Sequence, residues 1–285
     1  MRVDDYLARL GYDGPRAPTA ATLRALHRAH LLAVPFENLD VALGEPITLS
    51  VPAFHAKIVD RRRGGFCYEL NGLFAWLLRE LGFTVRLLSG RVDGPQGPGP
   101  EFDHLVLLVG TRGADGLAGT DWLADVGFGD SFREPLPLAV EAGSPQDGWR
   151  YHLACDGDNL ALWRAPLVGV AAGAPERKYQ FTTVPRELGE FAGMCRFHQG
   201  SPQSPFTRKV LCSLALPDGR VTLTDRTLLV TGGGHRHERP VEDLDEFGEL
   251  LADPFGVRLE AERVRRLWER AGAGAMPPLA GADEQ

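Results

Sequence analysis

The sequence predicts an α+β fold, helices first and antiparallel strands after, on three observations. Apolar side chains recur at helical spacing through the first 84 residues. From Thr84 onward, short runs rich in Val, Leu and aromatics are separated by Gly/Pro/Asp segments. Two helical segments then close the chain, and helices and strands do not alternate as βαβ units would.

Thr19 caps a helix in which Leu23, Leu26 and His30 share one face. Ser50 and Pro52 open another, which Gly64-Gly65 closes. The clearest helix follows, with Leu70, Leu73, Phe74, Leu77, Leu78 and Leu81 in one apolar stripe and Gly82 as its left-handed stop. Strands are expected at Thr84–Val92, Asp103–Val109 and Trp122–Val126. One hairpin is expected from Trp149–Ala154 to Leu160–Trp163, another from Thr207–Leu216 to Arg220–Val230. Helices near Asp243–Leu251 and Glu260–Ala271 finish the chain.

The 285 residues are 44% hydrophobic and 24% charged, values of an ordinary globular protein large enough for two or three packed parts. A net charge of -7 argues against a nucleic-acid partner, which needs a basic footprint. Three of the 31 basic residues are lysines, a bias that fits GC-rich codon usage. Residues 1–15 carry three aspartates and no apolar segment of the secretory kind, and no apolar run is long enough to span a bilayer. The expected location is the cytoplasm, with no membrane partner. Of the four cysteines no two stand three positions apart, so a zinc ribbon or thioredoxin-type pair is not expected, nor any metal. For Cys155, Cys195 and Cys212 an inert thiol is the plain reading.

Cys67 has different surroundings. It starts the clearest helix, directly after Arg63-Gly64-Gly65-Phe66. Free thiols have a pKa of about 8.5, and the N–H groups and partial positive charge of a helix N-terminus favour thiolate. The same N–H groups suit the oxyanion of a tetrahedral intermediate. Taken alone, a cysteine at a helix start is more often structural. A nucleophile needs a base and an acid that orients it. His104 opens an otherwise apolar strand, and Asp125 sits inside Trp122-Leu123-Ala124-Asp125-Val126-Gly127-Phe128-Gly129. A buried carboxylate requires a cation or donor, and imidazole would serve. Without Cys67, a core histidine and a turn-capping aspartate would be the better reading.

Three blocks, Arg63 to Asn71, the strand opened by His104, and Asp125-Val126-Gly127-Phe128-Gly129, resemble the catalytic blocks of the arylamine N-acetyltransferase family. Val34-Pro35-Phe36-Glu37-Asn38-Leu39 and Ser201-Pro202-Gln203-Ser204-Pro205-Phe206 resemble further signatures of that family, and the similarity runs from about Val3 to about Leu259. The resemblance implies a helical bundle carrying the nucleophile (1–84), a central antiparallel β-barrel carrying His and Asp (85–190) and an α/β lid (191–285). It also implies ping-pong acyl transfer from acetyl-CoA to an arylamine, hydrazine or hydroxylamine, with Cys67 as nucleophile, His104 as base and Asp125 as its orienter. Asp103 stands where the family usually has a small polar residue, Thr111–Asp121 is a few residues longer than usual, and Met194-Cys195 departs from a common asparagine.

Other readings remain open on the sequence. A related amide synthase would keep the triad but take a polyketide from a carrier-protein thioester. A transglutaminase- or papain-like hydrolase shares the triad logic. A CoA- or metal-binding module without catalysis would use Cys67, His104 and Asp125 differently. Two expectations concern the surroundings of the triad. Glu37 and Arg63 should pair in the interior and fix the loop ahead of Cys67. The phosphates of CoA should meet Arg208, Lys209 or the turn Thr231-Gly232-Gly233-Gly234-His235, with Gly232 and Gly233 supplying N–H groups, or else the loop Asp93–Asp103. For the glycines a flexible loop is an equally good reading.

Overall fold

The computed structural model describes residues 1–113, 118–139, 143–167 and 173–273. Part of the long Thr111–Asp121 segment (114–117) and the end of the expected lid (274–285) lie outside the described residues.

The N-terminal part holds α1 (Val3–Leu10), α2 (Ala20–Ala33), a short strand β1 (Phe36–Glu37), α3 (Leu39–Leu43), α4 (Val51–His55) and α5 (Cys67–Glu80). Thr19 caps α2, its Oγ1 accepting from Thr22 N at 3.3 Å, and Ser50 caps α4 in the same way at 3.4 Å. The helix expected from Ser50 to Gly64 is shorter than that. It ends at His55, runs through one π turn (Ala56–Asp60) and breaks at Arg62, whose φ is 53°, before Gly64. α5 ends in a Schellman motif, with Gly82 N on Arg79 O and Phe83 N on Leu78 O. The sequence shows one apolar stripe on α5, yet every residue from Cys67 to Leu78 except Trp76 is buried. Bundle helices cover one side of it, and strands cover the other.

Those strands are β2 (Thr84–Gly94) and β4 (His104–Arg112), joined through the two-residue β3 (Gly97–Pro98). With β5 (Ala118–Ala124), β6 (Leu136–Pro137), β7 (Ser144–Gln146), β8 (Trp149–Asp156), β9 (Asn159–Pro166) and β10 (Glu176–Phe181) they form one antiparallel sheet, ordered β6-β5-β4-β2-β10-β9-β8-β7. It curls into a nearly closed barrel. Across the gap, Gln146 on edge strand β7 accepts from Arg133 N (2.8 Å) and Glu134 N (2.9 Å), just before the opposite edge strand. β4 is buried on both faces, with Leu105, Leu107 and Val109 against the bundle and Val106 and Leu108 inside the barrel. Its continuous apolar run follows from that double burial.

The C-terminal part opens with α6 (Ala192–Gly200). β11 (Leu211–Leu216), β12 (Gly219–Thr224), β13 (Thr227–Gly232) and β14 (His235–Pro240) follow, and α7 (Leu244–Ala252) and α8 (Ala261–Gly272) end it. β1 joins this sheet beside β11, giving the order β1-β11-β12-β13-β14. The strand expected at Arg220–Val230 is broken at Asp225, whose φ of 48° makes a turn, into β12 and β13. The glycine-rich stretch is neither loose nor followed directly by a helix. Gly233 (φ 56°) and Gly234 (φ 79°) form the two-residue turn of a β13–β14 hairpin, where positive φ is required at both positions. Alternation sends Cys212, Leu214, Val221 and Leu223 to the core under α3, α7 and α8, and turns Ser213, Arg220, Thr222 and Thr231 to the other face. Among the described residues no helix is long and apolar enough to cross a membrane.

Candidate active site

The start of α5 is fixed by packing that only glycine permits. A Cβ on Gly64 would stand 2.0 Å from Pro35 O, and Gly65 O accepts from Glu37 N at 2.9 Å, so the loop ahead of Cys67 lies flat along β1. A Cβ on Gly127 would stand 2.8 Å from Cys67 Cα, so the loop after β5 rests directly on the first turn of α5. The strand end and the helix start are thereby brought together.

Cys67, His104 and Asp125, chosen from sequence, converge there. His104 Nε2 donates to Asp125 Oδ2 at 2.8 Å, and the Cys67 sulfur lies close enough to the same ring to raise its pKa, the two residues lining one cleft. All three are buried. Burial opposes charge on His104, but the Asp125 carboxylate and the Cys67 sulfur outweigh it and push the imidazole up to about 10. Burial likewise works against the charged form of Asp125, but His104, Asn71 and the Gly127 N–H hold its pKa below the usual carboxylate range. The arrangement is an imidazole supported by a carboxylate and facing a thiol. The other buried cysteines differ. Burial raises Cys195 to about 12 and Cys212 well above the ordinary thiol range, while Cys155 is exposed.

Cys67 and His104 open into a cleft of about 260 Å³ walled by Phe36, Val92, Phe128, Phe206 and Leu211. Phe128 meets the His104 ring edge-on at 5.2 Å. Asp103, His198 and Lys209 bring the polar groups, with His198 Nε2 3.1 Å from Asp103 Oδ1. A second cleft of about 380 Å³ shares Phe36, Phe128 and Leu211 with the first and is lined by Arg220, Arg236, Ser213, Thr222 and Thr231. Arg208 does not line either cleft and donates to the carbonyls of Pro202 and Gln203, and Gly232 and Gly233 lie at the hairpin turn beyond Thr231. Among the described residues no cluster of three or more His, Cys, Asp or Glu could hold a metal ion.

Comparison with known proteins decides the family. The N-acetyltransferase family profile matches residues 19–264. An arylamine N-acetyltransferase of Mycolicibacterium smegmatis is 37% identical over 91% of this chain and 93% of its own length. The Escherichia coli enzyme of that name is 33% identical over 90% and 89%. The solved arylamine N-acetyltransferase of Mycobacterium marinum superposes with a TM-score of 0.86, 33% identical, over 96% of this chain and all of the other. This chain belongs to the arylamine N-acetyltransferase family. A second M. marinum structure, in complex with CoA, covers 94% of the chain with a TM-score of 0.85 and 34% identity.

Several residues of this N-acetyltransferase site escaped the sequence reading. Asn71 Nδ2 donates to Asp125 Oδ1 (2.8 Å) and Leu105 O (2.7 Å), while its Oδ1 accepts from Val126 N (2.9 Å). The signal was present as a polar residue one turn after Cys67 in an apolar helix. Tyr179 Oη donates to Asp125 Oδ2 at 3.1 Å from β10, a strand whose Glu176-Arg177-Lys178 start hides it in sequence. The Glu37–Arg63 pair forms as expected, at 2.8–2.9 Å, but within a larger cluster. Arg63 also binds Asp40 (2.8 Å), and buried Lys57 binds Asp40 (2.8 Å) and Glu69 (2.9 Å). Glu69 reaches back to Phe66 N at 3.2 Å, so the cluster ends on the first turn of the cysteine helix.

Proposed function

We propose that Cys67 is the acylated nucleophile of an acetyl-CoA-dependent arylamine N-acetyltransferase, with His104 as its base and acid and Asp125 as the residue that orients His104. The convergence of Cys67 on a His104 that is bonded to Asp125 at 2.8 Å, in an aromatic-walled cleft, carries this reading.

With the thiol proton already held on His104 as imidazolium, the Cys67 sulfur attacks the acetyl carbonyl of acetyl-CoA. The first N–H groups of α5 stabilise the oxyanion. Collapse breaks the carbon–sulfur bond to CoA, and His104 protonates the departing thiolate. An arylamine lying against Phe36, Phe128 and Phe206 then attacks acetyl-Cys67. His104 accepts the amine proton, and the amide leaves with Cys67 restored. Asp125 stabilises each imidazolium and fixes which ring nitrogen faces sulfur.

For the donor, the pantetheine arm runs from Cys67 past Phe36, Phe128 and Leu211, the residues common to both clefts, and the phosphates meet Arg220 and Arg236, with Lys209 on the wall of the first cleft. Cationic and hydroxyl side chains in the second cleft support this. A cytoplasmic location fits four unpaired cysteines, and cell fractionation checks it. Intact-mass measurement after mixing with acetyl-CoA tests the central claim. One acetyl group should add to wild type and leave when an arylamine is supplied, and no addition would overturn it. The same assay with a carrier-protein thioester asks whether a carrier replaces CoA.

A further inference from the structure

His27 lies on α2, is wholly buried and does not touch the cleft, yet its two ring nitrogens hold both ends of the loop that carries the acid of the triad. Nε2 accepts from the Asp125 N–H at 3.1 Å, and Nδ1 meets Arg133 O at 2.8 Å. A backbone N–H can only donate and a carbonyl can only accept, so the tautomer is fixed: Nδ1 carries the proton and Nε2 is bare. The ring is clamped between stacked Phe132 (5.7 Å) and edge-on Phe74 (6.2 Å). Asp125 and the neighbouring His30 are the titratable groups facing it, and burial lowers its pKa to about 4, so it stays neutral at working pH.

The segment between those anchors carries Gly127 and Phe128, which wall the first cleft, and Asp130, which lines the second. Beyond Arg133 the chain is tied on, because the Arg133 guanidinium donates to the carbonyls of Leu216 and Gly219 in the β11–β12 hairpin. One imidazole from the bundle therefore sets the main chain of the acid and both ends of the cleft-wall loop. Resting on the triad reading above, we propose that neutral His27 is a positioning residue for acyl transfer, holding Asp125 where it supports His104.

Three variants separate the two bonds. His27→Gln keeps an acceptor near the Nε2 position for Asp125, His27→Asn keeps a donor near Nδ1 for Arg133, and His27→Phe keeps only the ring. The rate of Cys67 acetylation by acetyl-CoA, taken by intact mass per folded enzyme, is expected to fall about 10- to 100-fold in the Phe and Asn variants. In His27→Gln it should recover most of that loss. The alkaline limb of the rate profile, set by loss of the His104 proton, should move to lower pH in His27→Phe, because a loosened Asp125 raises His104 less. Folded Phe or Asn variants that acetylate at the wild-type rate with an unmoved limb would overturn the proposal, as would a Gln variant no better than Asn. Cys67→Ala in the same assay reports on the triad separately: an acetyl group still added there refutes the nucleophile and leaves the role of His27 to the other arms.

Discussion

Replacing Lys57 by methionine keeps the length of the side chain and deletes one of the two cations in the cluster of Glu37, Asp40, Lys57, Arg63 and Glu69. Lys57 Nζ stands 2.8 Å from Asp40 and 2.9 Å from Glu69, and the side chains of Lys57 and Glu69 are 3% and 2% exposed. The variant leaves Arg63 alone against three carboxylates, with Arg263 reaching Asp40 from α8 at 3.3 Å but shared with Glu45. Stranding a buried charge costs about 3–5 kcal/mol, which at roughly 2 to 3 °C per kcal/mol lowers the melting temperature by roughly 6–15 °C. Glu37→Gln removes a carboxylate instead and leaves two against two, so it should cost about 1–3 kcal/mol, less than the lysine change. The pH dependence adds a sign. Burial, against the pull of Lys57, lifts Glu69 to about 7 from its ordinary 4.5. A carboxyl raised in the fold contributes stability below its unfolded pKa and loses it as pH rises through the folded one. Removing Lys57 raises Glu69 further, so the melting gap between wild type and variant should widen from pH 5.5 to pH 8.5 in calorimetry. A melting temperature equal to wild type, or a gap independent of pH, would refute the charge count.

Cys67→Ala should form no acetyl-enzyme, whereas Cys155→Ala, Cys195→Ala and Cys212→Ala should each still form one; intact mass decides both. Asp125→Asn should slow acetylation roughly a thousandfold or more. In wild type the rate should fall as pH rises toward about 10, where the raised His104 loses its proton, and in Asp125→Asn that limb should shift down. Stopped-flow rates across pH check this. Arg220→Ala and Lys209→Ala should raise the KM for acetyl-CoA, and the penalty in at least one should shrink with the dephospho cofactor. Unchanged KM values in both would move the phosphates elsewhere, to the loop Asp93–Asp103 first.

What could be read from the sequence is what rests on local rules. Caps, the α5 stripe, the Gly82 stop and the alternating hairpins are decided by neighbours in the chain, and each appears at or near the expected place. The cysteine block could be read because helix start, glycines and nucleophile are contiguous. The misses share a different cause. β14 is His235-Arg236-His237-Glu238-Arg239-Pro240, an exposed edge strand with no buried face to leave a pattern. β10 and the break at Asp225 depend on pairing partners far away in sequence. His27 and Tyr179 resemble ordinary core aromatics until the distance to Asp125 is known, since their role lies in a contact across 98 and 54 positions.

Those long-range contacts explain why the site sits where it does. Cys67 belongs to a helix and His104 to a strand, and neither element alone can present a thiol to an imidazole. They meet because β4 buries Leu105, Leu107 and Val109 against α5, so the register that buries these three residues also sets His104, one residue earlier, toward the barrel side with Tyr179 and Phe128. A one-residue slip would exchange the faces and carry His104 away from Asp125. Asn71 guards that register directly, bonding Leu105 O on one strand and both Asp125 and Val126 N on the next segment from a single amide. The geometry of the triad is thus a consequence of sheet register and core packing, and the polar residues missed in the sequence, Asn71, Tyr179 and His27, are the ones that convert a packed core into a fixed distance between sulfur and base.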